Sequence, residues 1–490
     1  MQGQSSFQIK TYVPTHNCGR IFYNRQVNST WLSKKYLKTL KSNPSITIQS
    51  FKQAMQKDHK VGISKSQVYR TKRKAQELIE GSLMEQYAKL WDYYEKIKRT
   101  NLGTTIIVKE DDEESENEEH EIDEAKPRFQ RIFVCFGGCK QGFLAGCRPF
   151  IGVDVYYLKG PYKGQLLQAV GLDGNNNSYP LAFAVVEGET KSSWKWFFEI
   201  LCDTLGWFNK QGVTFMSDKQ KVNASLVEVS PITAHRFCIR LLYTNFRDSF
   251  KGVHLKDIVY KATKASYVQA FEAHMEELKE ADEDAFNWFV EKPPSTWPKS
   301  HFTPTIKSDI LDNNMCESFN SLILEARGKT IIPLLEDIRC ILMKRLQVRK
   351  EVMRAYTGPI CPNIQQTLEK RKEDACNCIA MWARAIYDKH EQPKDYVAHW
   401  YKKETYLASY EPMIYLINGY EMWPKSVLPG LLPLKVKKQP GRPRKLRKRQ
   451  ADEPKNPHKL HGGNITTICS LRGDKQLIKH LEKQSATYST

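Results

Sequence analysis

The run Phe150-Ile151-Gly152-Val153-Asp154-Val155-Tyr156 decides the fold, together with the two apolar runs that follow it, Gly164 to Gly171 and Tyr179 to Val186. Each run is of strand length. They are separated by the turn signals Lys159-Gly160-Pro161 and Asp173-Gly174-Asn175-Asn176-Asn177, so the pattern predicts three consecutive strands joined by tight turns. A Trp-rich amphipathic helix is predicted over Ser192 to Leu205 and a fourth strand over Val213 to Met216. Three antiparallel strands, a helix and a further strand follow the order of an RNase H-like α+β fold, and other α+β sheets share that order. Helices are expected to dominate from Lys219 to about Arg354, with further helical segments near Ile364–Lys389 and Pro393–Tyr410.

Upstream of these strands, Asn24 to about Thr100 reads as helical. Ser64 is placed to cap a helix starting at Lys65, which carries Arg70, Lys72, Arg73 and Lys74 beside Tyr69. Such a face suits a DNA phosphate backbone or major groove, and equally the solvated side of a helical bundle. Between Glu110 and Glu124 eleven of fifteen residues are acidic, a composition that buries no core and marks a disordered domain boundary. Beyond Trp423 the chain is rich in Pro, Lys and Arg and is expected to be flexible.

The chain has 490 residues, enough for several domains, and a net charge of +20 despite the acidic stretch. A surplus of that size points to a polyanionic partner held by phosphate contacts. No apolar run reaches the ~18–20 residues needed to span a bilayer, and the first ten residues show no secretory pattern. The twelve cysteines are too sparse for a disulfide scaffold and fit a reducing compartment. Isolated ones such as Cys202 and Cys340 read as core thiols.

Carboxylates at strand ends carry the chemistry. Asp154 lies in the first strand, Asp218 follows the fourth, and Glu317 sits near the start of a helix in Asn313-Asn314-Met315-Cys316-Glu317-Ser318-Phe319-Asn320. A carboxylate placed within or beyond an apolar strand is costly to bury unless it is paired or bound to metal. Three convergent carboxylates would suit Mg²⁺ or Mn²⁺; singly, each also reads as a surface or capping acid.

These segments resemble the Mutator-like transposase domain of plants. The resemblance rests on Phe150 to Gly160, Ala169 to Asn175, Pro180 to Glu187, Phe215-Met216-Ser217-Asp218, His235-Arg236-Phe237-Cys238 and Asn314 to Asn320, and extends from about Phe7 to Arg449. It implies an RNase H-like DDE domain over 129–354 with a helical insertion. Asp154, Asp218 and Glu317 would be its catalytic, Mg²⁺- or Mn²⁺-binding triad. Before it the resemblance implies a zinc-finger remnant (1–23), a mostly helical DNA-binding domain (24–105) and an acidic linker (106–128). After it come a helical region with a SWIM-finger remnant (355–425) and a disordered basic tail (426–490).

Zinc is a further candidate, but every ligand set is incomplete against the four that tetrahedral zinc needs. His16 and Cys18 resemble half of a finger, Cys376 and Cys378 the opening of a SWIM finger, and Cys469 the first ligand of a knuckle. Two departures fall beside the triad: Val155 replaces a glycine and Leu241 a histidine of a Cys-x-x-His motif that starts at Cys238. Gly441, Arg442, Pro443 and Arg444 form an AT-hook core among nine cations from Lys435 to Arg449, suited to an A·T-rich minor groove or to nuclear import.

The resulting expectation is a nuclear transposase, with double-stranded DNA carrying terminal inverted repeats as partner, no membrane, and self-association left open. The alternative is a non-catalytic DNA-binding regulator similar to the far-red-impaired-response group.

Overall fold

The computed structural model describes residues 12, 24–43, 46–111, 127–160, 164–207, 210–217, 220–376, 386 and 389–434. Four helices come first: α1 (Ser29–Lys35), α2 (Leu37–Ser42), α3 (Ile48–His59) and α4 (Lys65–Glu80). Their starts follow from side-chain caps. Asn28 accepts from the amides of Thr30 and Trp31, Thr47 from Ser50, and Ser64 from Gln67, so α4 begins where its sequence predicts. Leu32, Phe51, Met55, Val68 and Ala75 close a small core of their own.

Helices α5 (Leu83–Ala88) and α6 (Leu90–Thr100) belong elsewhere. A capping box between Ser82 and Glu85 starts α5. Tyr87, Leu90, Tyr93 and Ile97 then pack into the core of a seven-stranded sheet.

That sheet is made of β1 (Thr105–Glu110), β2 (Phe129–Cys135), β3 (Phe150–Tyr157), β4 (Gln165–Leu172), β5 (Ser178–Val186), β6 (Thr214–Ser217) and β7 (Ala234–Phe237). Its order is β1-β2-β5-β4-β3-β6-β7. The strands from β1 through β3 pair antiparallel, whereas β6 and β7 add in parallel. The three expected strands are therefore present, and the first and fourth are neighbours with Gly152 opposite Met216. Helices α7 (Gly137–Gly146) and α8 (Lys191–Leu205) pack on the sheet, α8 through Trp194, Phe197, Phe198 and Leu201. Helix α9 (Gln220–Val229) connects β6 to β7.

Two expectations are corrected here. Residues 106–110, assigned to a disordered linker, form β1, because Ile106 is buried and the strand pairs along β2. Asp111 N–H also donates to Arg128 O at 2.8 Å, so the acidic stretch connects two adjacent strands of one sheet. Residues 112–126 themselves lie outside the described residues.

After β7 the helices α10 (Ile239–Ser249), α11 (Val253–Lys264), α12 (Val268–Ala281) and α13 (Glu283–Val290) enclose a separate core around Phe246, Ile258, Val259, Phe289 and Trp297. The chain then returns to the sheet as α14 (Asn314–Leu322) and the 25-residue α15 (Ile331–Ala355). Helices α16 (Pro362–Cys376) and α17 (Lys403–Tyr410) follow. Gly142 and Gly146 of α7 allow α17 to approach closely: a Cβ at either would collide with the carbonyl of Ser409 or Thr405. Tyr410 reaches the sheet and donates to the buried carboxylate of Asp173 at 2.8 Å.

Residues 426–434, expected to belong to a disordered tail, are instead packed on the sheet domain, and 435–490 lie outside the described residues. Leu431 is buried, and Leu432 bridges to Arg128 beside β2, with Phe129 N–H donating to Leu432 O at 3.0 Å. Ser426 N–H and Lys425 Nζ both hold Asp92 of α6. Apolar burial and backbone pairing outweigh the local Pro and Gly content. Among the described residues no helix is long and apolar enough to cross a membrane.

Candidate functional site

Asp154 is half-buried on β3, where the ladder sets it opposite Gln168. Its carboxylate accepts from the Val155 amide at 2.8 Å and from Asn320 Nδ2 at 3.4 Å. Val155 sits within the same ladder, opposite Leu167, in a position that suits a β-branched residue. The backbone there does not require glycine.

Glu317 lies in the first turn of α14, an end of a helix that favours a carboxylate. Asn314, Glu317 and Asn320 recur every three residues, so they share one side of this helix. Asp154 and Glu317 line one cleft of about 320 Å³, completed by Cys238, Arg240 and Leu241 of the β7–α10 junction and by Lys256 and Tyr260 of α11. The cleft thus joins strand β3 to helices α10, α11 and α14.

Asn313 and Cys238 tie these parts together. Asn313 Nδ2 donates to Val153 O at 3.0 Å, one residue before Asp154, and Asn313 N–H donates to Cys238 Sγ at 3.4 Å. Cys238 N–H donates in turn to Ser217 O at 3.0 Å, at the last residue of β6. Burial pushes the Cys238 thiol up, so it is held as a neutral acceptor. On β7, His235 bonds the Ser217 hydroxyl at 2.8 Å, and burial lowers its pKa to about 4, leaving a neutral imidazole. Asp218 follows Ser217 and lies outside the described residues.

Residues 150–245 match the family model of the MULE transposase domain. No curated protein matches the chain. The MULE match runs from the start of β3 into α10, so it holds Asp154, Asp218, Cys238, Arg240 and Leu241, while Glu317 lies beyond it. It supports a Mutator-like transposase relationship, a transposase-derived function and, in general terms, DNA as a partner.

Several residues around the MULE segment escape a reading of sequence alone. Arg240 Nη1 donates to both Glu317 carboxylate oxygens, at 2.9 and 3.0 Å, and to Asn314 Oδ1 at 2.6 Å. Tyr156 is half-buried; its pKa rises through burial, then through the charges of Asp154 and Glu317. Arg327 stacks over its ring at 4.5 Å. The run Asn313-Asn314-Met315-Cys316-Glu317-Ser318-Phe319-Asn320 carried a signal for the asparagines, as polar residues at helical spacing around an acid. Nothing local marked Arg240.

The basic residues of α4 divide. Lys72 Nζ donates to Ile46 O at 3.0 Å and Lys74 bonds the Thr30 hydroxyl, so both hold the helical core together. Arg73 pairs with Glu77 at 3.7 Å. Lys65 and Arg70 are exposed and have no hydrogen-bond or ion-pair partner among the described residues. Arg70 lines a groove of about 630 Å³ with Tyr69 and Lys329, and Glu325 shares it.

The remaining candidates are mostly beyond view. His16, Cys18, Cys378, Cys469 and the hook residues Gly441, Arg442, Pro443 and Arg444 lie outside the described residues. Cys376 ends α16, and its side chain is outside them as well. Among the described residues no group of three or more His, Cys, Asp or Glu side chains is placed to hold a metal ion. Cys202 is a core thiol as expected, whereas Cys340 is only half-buried.

Proposed function

We propose that the chain is a nuclear, transposon-derived DDE protein with an RNase H-like catalytic domain, built to cut and join DNA at terminal inverted repeats. The observation that carries this reading is the meeting of Asp154 and Glu317 in one cleft, beside the strand end that Asp218 follows. In the parallel register Gly152 stands opposite Met216, and Asp154 and Asp218 each come two residues later.

The carboxylate oxygens suit a hard divalent cation; the side-chain amides of Asn313 and Asn320, the neutral Cys238 thiol and the cations Arg240 and Lys256 surround them. Asp154, Asp218 and Glu317 would hold Mg²⁺ or Mn²⁺, which when bound supplies charge neutralisation and an activated oxygen for phosphodiester displacement. The chain's own residues set the geometry. The Val155 amide and Asn320 orient the Asp154 carboxylate, and Asn313 fixes α14 against β3. Arg240 and Lys256, on the insertion side of the cleft, are suited to a phosphate backbone. Outside the cleft, Arg70 and the hook residues Arg442 and Arg444 supply sequence-independent and minor-groove contacts.

A strand-transfer assay on a terminal-repeat duplex with Mn²⁺ tests this reading. Joined product that disappears with Asp154→Asn supports it; product unchanged by Asp154→Asn rejects Asp154 as a catalytic acid. A second reading, a DNA-binding regulator without catalysis, is favoured by one observation: Glu317 is held by Arg240, with Leu241 beside them in the cleft. Retention of duplex DNA at physiological salt without joined product would select it.

A further inference from the structure

Arg240 is bonded to the Glu317 carboxylate of the cleft, and the form of that bond is informative. A single guanidinium nitrogen, Nη1, serves both oxygens of Glu317 and also Asn314 Oδ1. The two side chains are 50% and 53% exposed, so the pair is wet, screened and cheap to open. It therefore adds little to stability, yet it covers the lone pairs through which Glu317 would bind a cation. Helix α10 fixes Arg240 two residues past Cys238, whose sulfur already anchors the approach to α14.

We propose that Arg240 is the resident counter-ion of the carboxylate cleft and sets its affinity for divalent cations, because Glu317 must leave the guanidinium before a metal can use it. This rests on the reading of the cleft as a metal site. A fixed positive charge beside a divalent ion also repels it, an effect that survives even if Glu317 rotates. Both effects act in one direction. Removal of Arg240 tightens metal binding.

The test is a Mn²⁺ titration of the full chain, read by the paramagnetic resonance of free Mn²⁺, with thermal melting as a check of the fold. Arg240→Ala is expected to bind Mn²⁺ about tenfold more tightly than the unmodified chain, a change small enough to arise from one partly screened charge. Arg240→Gln, which keeps amide donors without the charge, is expected to move the same way. In a Glu317→Gln background the gain from Arg240→Ala should shrink to about two- to threefold, since only the repulsion remains. If Asp154→Asn abolishes binding while Arg240→Ala and Arg240→Gln leave it unchanged or weaker, the counter-ion role is overturned and the metal site stands. If Mn²⁺ binds no variant, or binds regardless of Asp154→Asn and Glu317→Gln, both readings fall.

Discussion

Asn313 donates its side-chain amide to the carbonyl of Val153 at 3.0 Å, across 160 positions of sequence. The bond ties the start of the Glu317 helix to the strand residue before Asp154. A Cβ on neighbouring Gly152 would meet Met315 Sδ at 2.9 Å, so α14 rests almost directly on the β3 backbone. Asn313→Ala leaves the buried Val153 carbonyl without this donor. A loss of ~1–3 kcal/mol is expected in urea unfolding, with weaker Mn²⁺ binding alongside. Unchanged Mn²⁺ affinity would show that α14 keeps its place without this bond.

His235 gives the protein an acid limit. Burial lowers its pKa from 6.5 to about 4 in the folded state. A depressed histidine favours the folded state fully above 6.5, and that contribution is lost as pH falls from 6.5 through 4. The difference amounts to roughly 3 kcal/mol. Stability curves of the unmodified chain and His235→Gln should therefore converge as the pH is lowered across this window. Parallel curves would mean that His235 titrates normally.

Leu241 and Val155 are unequal departures from the resembled motifs. Leu241 lines the cleft, whereas Val155 serves the β3–β4 ladder. If the cleft is catalytic, Leu241→His alone should raise strand transfer. Val155→Gly should only cost stability, by ~1 kcal/mol. Rescue that requires Val155→Gly would contradict the strand geometry.

Within α4, one substitution should affect DNA and its neighbour the fold. Arg70→Ala is expected to weaken duplex binding and reduce the salt slope by about one. Lys72→Ala removes the bond to Ile46 O and is expected to lower the melting temperature of the helical core while changing the salt slope little. The reverse pattern, seen in filter binding and calorimetry, would place Lys72 rather than Arg70 on the DNA.

The succession β3, β4, β5, α8, β6 was legible because its apolar runs are bounded by strong turn signals. Strand β7 was not: Ala234-His235-Arg236-Phe237 is four residues long and half polar, and it joins the sheet by pairing with β6. Helix α7 was hidden by four glycines in ten residues, which local propensity reads as a break. Gly142 and Gly146 allow the contact with α17, while Gly137 and Gly138 lie against the backbone of Leu102 and Met413. Residues 426–434 were hidden likewise, since Pro and Gly suggest mobility until Leu431 is seen to be buried. Among the site residues, Asp154 and Glu317 announced themselves as acids in apolar or helical settings. Arg240 could not, because its partner lies 77 positions away and only the fold brings them together.

The contact between Tyr410 and Asp173 also orders events during synthesis. The Asp173 carboxylate is made 237 residues before the hydroxyl that serves it. At ~5–20 residues per second the ribosome needs roughly 10–50 s to supply that partner. Through that interval the nascent sheet carries a polar group prepared for burial with one of its donors still missing. All seven strands are synthesised by residue 237, and Asp173 already accepts from the Asn175 and Asn177 amides, but its bond from Tyr410 forms only once the end of α17 is free of the exit tunnel.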